Sequence, residues 1–432
     1  MPARLNIFQR SMLQWNDLHP YNAVHVVRIP QALDLERLRS VIATTLEGKG
    51  LTGLTLNRRS GTYQYHGGRF SSEIKVISVG AALYPCFAQE VERQLNTPFT
   101  PDERFTPFRF FVVPEVDSFS LGLAYFHPIA DAECVVFLLK EMVDIYRGHD
   151  RPGQASPIDR YPPRWDLLLR LPPGVLGRKL IAFPSQIKAM RSTCRPRYRD
   201  PGDLSNKCAF FSLDAQRLSG VIQAARSLNI TLNDLLLALL MKAVSLLTSD
   251  RTRAPRRRSI SLGCIVNIRK DFGMAGGRAF GLFLGSFLVH HEIPAGIDLA
   301  DLARDIGRQT LRIKRSRLYL GAPLELAFGR LMTSLFSERR RRKLYQKHYP
   351  LWGGLTNMNL NALWPQPDDA RPLEYFRAVS TGPVTPLVVS LTTVGRTANV
   401  GLTYRPTVFD APQIERIKGC FLDPLGPLSA GP

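Results

Sequence analysis

A histidine and an aspartate with HxxxD spacing, His127-Pro128-Ile129-Ala130-Asp131, fall where an apolar alternating run, FSLGLAYF, gives way to one with helical spacing, AECVVFLLKEMVDIYRG. A neutral imidazole takes up a proton near neutral pH, so a histidine held at such a junction can work as a general base. An aspartate at a helix start can cap the helix and fix the loop that presents the ring. The same spacing also arises from a packed strand-end histidine followed by a capping aspartate, and by spacing alone that is the commoner occurrence.

The elements around the pair can be read from periodicity. Alternation of Phe119, Leu121, Leu123 and Tyr125 predicts a half-buried strand, and Val135, Val136, Leu138, Leu139, Met142, Val143 and Tyr146 predict the helix after it. NAVHVVRI reads as a strand and Asp34 as the N-cap of LERLRSVIATTLEG, so residues 1–150 alternate strands and helices, an α/β layout. Nine prolines between 152 and 201 disfavour regular elements and mark a long connection, with apolar-basic spacing around Val175 to Met190 suggesting a helix inside it. Beyond it KCAFFSLD reads as a strand and ITLNDLLLALLMKAVSLL as a helix, opened by Thr231 and Asp234 as a weakened capping box. SISLGCIVNI and AFGLFLGSFLVHHEI read as two further strands. His290 and His291 end the second of these, and because adjacent strand residues face opposite sides they are expected at the surface or an edge. The expected division is 1–150, a connecting segment 151–205, and 206–432.

The stretch YFHPIADAECVVFLLKEMVDIYRG resembles the signature region of the CoA-dependent acyltransferase superfamily, which includes chloramphenicol acetyltransferases, nonribosomal-peptide condensation domains, wax ester synthases and plant BAHD acyltransferases. LNIFQRSMLQWNDLHPYNAVHVVRI, KCAFFSLDAQRLSGVIQAARSLNITLNDLLLALLMKAV, SISLGCIVNIRKDF and VTPLVVSLTTVGRTANVGLTYRPTVFD are similar in the same order, so the resemblance covers most of the chain. It implies an α/β (α+β) fold of two chloramphenicol-acetyltransferase-like lobes in a V, with a tunnel at their interface that His127 faces. The implied activity is acyl transfer from a thioester, acyl-CoA or an acyl carrier protein, to a hydroxyl or amine acceptor on a small molecule or lipid. His127 is then the general base, and the CoA or phosphopantetheine thioester is a co-substrate with no permanently bound cofactor or metal. In this superfamily the aspartate pairs with an arginine, and Arg269 of VNIRK is the expected partner of Asp131. Ser286 and Asn357 are candidate oxyanion or tunnel residues.

Two positions depart from the peptide-forming branch, which has a second histidine and a glycine where this chain has Phe126 and Ala132. The single histidine favours a stand-alone acyltransferase and an alcohol acceptor. The same departures sustain the alternative, a catalytically silent relative that binds a carrier protein or acyl chain. Asn233 and Asp234 stand where wax ester synthases have a similar pair, although capping accounts for them more simply, and Cys134 is expected in the core. Asp271-Phe272-Gly273 echoes a BAHD motif at the wrong place in the chain and carries no weight.

Composition bounds the remaining classes. A chain of 432 residues with 44% hydrophobic content suits a soluble globular enzyme, and the resemblance implies a place in lipid or secondary metabolism. Six cysteines form no CxxC pair and no signal-peptide pattern is evident, so reduced thiols in a cytoplasmic setting are expected. The most apolar run, Leu235 to Met241, is far below the roughly 18 residues of a membrane span, which leaves peripheral contact at the inner membrane as the expected limit. The net charge is +21, concentrated in Arg251, Arg253, Arg256, Arg257 and Arg258 and in Arg339 to Arg342 with Lys343. Neither run is interleaved with aromatics and no nucleic-acid motif accompanies them, so nucleic acid ranks last among partners. The positive field suits CoA phosphates, an acidic carrier protein or anionic headgroups, and equally a solvated basic face.

Overall fold

A computed structural model describes residues 2–78, 83–101, 103–148, 159–160, 174–254, 256–274, 279–333, 336–337, 340–341, 345, 347, 349–364 and 374–423. Pro152, Pro157, Pro162, Pro163, Pro172 and Pro173 of the proline-rich connection lie outside these, as do Arg339, Arg342 and Lys343.

In chain order, α1 (Ile7–Asn16) and β1 (Asn22–Ile29) lead to α2 (Leu35–Gly48), β2 (Ile74–Val76), α3 (Leu83–Asn96), β3 (Phe108–Pro114), β4 (Phe119–Phe126) and α4 (Ala132–Arg147). Next come α5 (Val175–Ser192), β5 (Lys207–Leu213), α6 (Ala215–Ser227), α7 (Leu232–Leu247), β6 (Ile260–Asn267) and β7 (Leu284–His291). The chain continues through α8 (Leu299–Arg315), α9 (Ala322–Thr333), β8 (Gly353–Asn359), β9 (Glu374–Val379), β10 (Leu387–Val394), β11 (Thr397–Tyr404) and α10 (Ala411–Leu422). Local chemistry starts the helices. Asp34 accepts from Arg37 N–H at the head of α2, and Thr231 and Asp234 form a reciprocal capping box at the head of α7.

These elements build the two-lobed α/β fold. One sheet has the order β9-β1-β4-β3-β2 and the other β7-β6-β8-β10-β11-β5. In the first lobe, Leu38, Ile42 and Leu46 of α2 and Val135 and Leu139 of α4 pack with Val27, Leu121 and Leu123 on one sheet face. Phe87, Val91 and Leu95 of α3 cover Val24 and Val26 on the other. In the second lobe, Leu236 and Leu240 of α7, Ile306 of α8 and Ile414 of α10 pack on Leu262, Val389 and Val400. Each such fully buried side chain contributes about 1.5–3 kcal/mol, which is why the apolar run Leu235 to Met241 is core here. Among the described residues no single helix is long and apolar enough to cross a membrane.

Two features differ from the reading of the sequence. AFGLFLGSFLVHHEI is not one strand: Ala279–Phe280 pairs with Asp159–Arg160, and only Leu284–His291 joins the larger sheet. The intervening backbone is engaged elsewhere, Gly281 O accepting from Asp131 N–H (3.0 Å) and Phe283 N–H donating to the Asp131 carboxylate (2.9 Å), so it cannot feed a ladder. In addition, β9 lies within 206–432 yet pairs antiparallel with β1, so the second part of the chain lends a strand to the first lobe's sheet. The basic run at 251–258 is not a uniformly free face either, since Arg251 is buried and donates to Ile293 O. His290 is exposed on β7, an edge strand, and His291 contacts Asp305 at 3.2 Å.

The two sheets approach closely at a seam where β9 crosses β11. A Cβ on Gly401 would stand 2.2 Å from the Arg377 carbonyl oxygen and 3.1 Å from the Phe210 ring. Backbone on one side and a packed ring on the other leave no room to yield. Gly401→Ala is therefore expected to destabilise the fold by about 1–3 kcal/mol, read as a lowered urea midpoint, whereas an unchanged midpoint would show that the seam can open.

Candidate active site

His127 opens a 3-10 turn, His127–Ile129, between β4 and α4. Its backbone N–H donates to Tyr21 O (3.2 Å), and Tyr21 stacks on the ring with centroids 5.4 Å apart and planes 17° apart. Tyr125 meets the ring edge-on at 5.6 Å. The side-chain Nδ1 lies 3.0 Å from Ala130 O. A carbonyl only accepts, so Nδ1 carries the proton of the neutral ring and Nε2 keeps its lone pair. The residue is only 8% exposed, and burial pulls its pKa below the ordinary histidine value against the opposing pull of Ala130 O and Asp131. The ring is thus held neutral, in one tautomer and one orientation.

Asp131 holds the turn in place. Its Oδ1 accepts from Cys134 N–H (3.1 Å), capping α4, while Oδ2 accepts from Arg269 Nη1 (2.7 Å) and Phe283 N–H (2.9 Å). The structure therefore brings Asp131 and Arg269 together as an ion pair with both side chains 2% exposed. Burial is the largest influence and works against the arginine charge, yet Asp131, Cys134 and Glu133 together outweigh it and the guanidinium pKa lies above its ordinary value. Arg269 Nη2 also donates to Cys134 Sγ (2.8 Å) and Ala279 O (3.3 Å). Burial, then Asp131, push the Cys134 thiol far above the usual range, so Cys134 is a packed, protonated core residue with no nucleophilic role.

A cavity of about 290 Å³ lies where the two sheets meet α1 and α9, and His127 lines it. That volume sits near the lower end of small-molecule sites. Ala132 and Ser286 line it too. Phe126 does not: it is fully buried on the other side of the strand end against Phe99 and Phe105. Asn357 is corrected by the pleat, since on β8 it is exposed and its neighbour Thr356 faces the cavity. Asn233 donates to Cys264 Sγ (3.3 Å) and Asp234 accepts from Thr310, so neither reaches the cavity.

Two lining residues went unread in the sequence. His25, an inward position of NAVHVVRI, bonds Tyr375 hydroxyl through Nδ1 (2.7 Å). Burial, then Arg377, then His127 hold its pKa well below the ordinary value. Arg377 is the cross-strand neighbour of His25 and is 4% exposed. It donates through Nε to Thr392 Oγ1 (2.8 Å) and through Nη2 to Leu391 O (2.7 Å) and Thr356 O (3.3 Å). Burial lowers its pKa to about 10, which still leaves it charged at neutral pH. A histidine and an arginine at alternate positions of short apolar strands were the available signal.

No family model matches the chain, and no curated protein sequence matches it. Solved structures do. The condensation domain of the monacolin K polyketide synthase MokA superposes with a TM-score of 0.69 at 13% identity, over 100% of this chain and 98% of that one. The chain has the condensation-domain fold. The X-domain from teicoplanin biosynthesis shares that fold at a TM-score of 0.65 and 14% identity, over 100% and 96% of the two chains. Polyketide synthase associated protein 5 from Mycobacterium tuberculosis does so at 0.61 and 17%, over the whole of both chains.

Removing Arg269 strands the Asp131 carboxylate in the interior, and removing Asp131 leaves the Arg269 guanidinium with Glu133 at 3.6 Å as its remaining carboxylate, each at a cost of about 3–5 kcal/mol. Asp131→Asn and Arg269→Ala are each expected to lose stability on that scale in urea unfolding. The double variant should lose clearly less than the sum, because its second change removes a charge already stranded. Strict additivity would show that the two side chains act independently.

Proposed function

We propose that the protein transfers an acyl group from a thioester, carried by CoA or an acyl carrier protein, to a hydroxyl acceptor, with His127 as general base. The observation that carries this reading is the fixed tautomer of His127: Nδ1 is committed to Ala130 O, and the basic Nε2 is left at a cavity between two lobes. In the step proposed, the acceptor O–H gives its proton to Nε2 while its oxygen bonds to the acyl carbon, forming a tetrahedral oxyanion. Collapse breaks the C–S bond, and the proton passes from Nε2 to the leaving sulfur. No acyl-enzyme, resident cofactor or metal enters the scheme. Ser286 on the cavity wall is the candidate oxyanion donor, with backbone N–H groups as its companions. The net charge of +21 supports an acidic donor, CoA or carrier protein, drawn in by steering. Two structural relatives come, by name, from polyketide synthase systems, which supports a role in lipid or secondary metabolism.

Release of free thiol from acyl-CoA or an acylated carrier protein, with alcohol and amine acceptors, tests the reading. His127→Ala is expected to lower the rate by about 10² to 10⁴. The base works only when neutral, and its pKa is depressed by burial, so the acid limb of kcat/KM should have its midpoint below the ordinary histidine value of about 6.5 and a plateau above it. Equal rates for parent and His127→Ala would remove the base from the mechanism. Binding of acylated carrier without thiol release would establish the catalytically silent alternative.

A further inference from the structure

The cavity wall formed by β9 and β10 carries a positive charge that the transfer step leaves unused. Arg377 is bonded only to neutral acceptors, and among the described residues no carboxylate lies within ion-pair distance of it. Its Nη1 bears two protons, engaged only by a long 3.4 Å contact to Thr356 Oγ1. Thr356 is paired in register with Ser390, which also lines the cavity, is 2% exposed and has no hydrogen-bond partner for its hydroxyl among the described residues. On the adjoining strand His25 uses Nδ1 for Tyr375 and leaves Nε2 at the cavity. A buried cation with a spare N–H, beside an unengaged hydroxyl and an imidazole, is half of an ion pair.

We infer that Arg377, together with Ser390 and His25, binds a carboxylate carried by the acceptor, which makes the preferred acceptor a hydroxy acid. The inference rests on the transferase reading for its place in the reaction, whereas binding itself needs no turnover. The hydroxy acid would be anchored by its carboxylate at Arg377, with its hydroxyl left for His127 in the same cavity. Arg377 also ties β9 to β8 and β10 through its neutral acceptors, and a purely structural role would alter stability without altering the choice between ligands.

Calorimetric titration of the intact protein with 3-hydroxyoctanoate and with its uncharged amide separates the two. The acid is expected to bind the parent at least about tenfold more tightly than the amide, and Arg377→Met is expected to bind both alike. Ser390→Ala should weaken the acid by about fivefold and leave the amide unchanged. Equal binding of acid and amide by the parent, or a preference undiminished in Arg377→Met, overturns the inference. Should Arg377→Met fail to fold, Ser390→Ala decides, selective loss of the acid supporting the site and no selective loss overturning it. An inert protein that still prefers the acid would sink the transferase reading and keep this site; an active one with no preference would sink this site alone.

Discussion

The Asp131–Arg269 ion pair is the constraint on which the rest of the site depends. Asp131 is the N-cap of α4 in one lobe, and Arg269 lies two residues past the end of β6 in the other. One carboxylate caps a helix, neutralises a buried guanidinium and takes the backbone N–H of Phe283. Three donors on two oxygens leave it little freedom, so the turn carrying His127 is fixed relative to both lobes at once. A pair of this kind adds little net stability over apolar packing, and its value lies in the single geometry it permits.

Electrostatics at His127, His25 and Arg377 are dominated by burial, while Glu325 on another part of the cavity wall is paired with Lys179. His127 and His25 are both held neutral, and Arg377 remains the cation beside them. A neutral ring with its Nδ1 proton committed is suited to accept a proton at Nε2, and burial is what keeps it from protonating early. The cavity therefore separates a basic nitrogen from a fixed positive charge along one wall, an arrangement that orders a substrate bearing a negative group.

Much of the local structure was legible in the sequence because it rests on short-range rules. The alternation of FSLGLAYF, the helical spacing after Asp131 and the caps at Asp34 and Thr231 each correspond to an element with those bounds or close to them. What failed involved partners far along the chain. The break at Gly281 exists because Asp131, about 150 residues earlier, takes the backbone groups a strand would need. The exposure of Asn357 followed from strand register, where a step of one residue exchanges the faces. The strand EYFRAV was too short and too isolated to reveal that it would pair with β1 and bring Arg377 next to His25.

The sequence by itself determined the helix and strand periods, the turn between β4 and α4 and the residue types able to move a proton, because these depend on neighbours within a few positions. The tautomer of His127 is set locally by Ala130 O, whereas tertiary structure alone decided that His127 faces a cavity and that His25, Ser286 and Arg377 share that cavity with it. Those outcomes need strands separated by hundreds of residues to meet in one register, and the packing of both lobes selects that register.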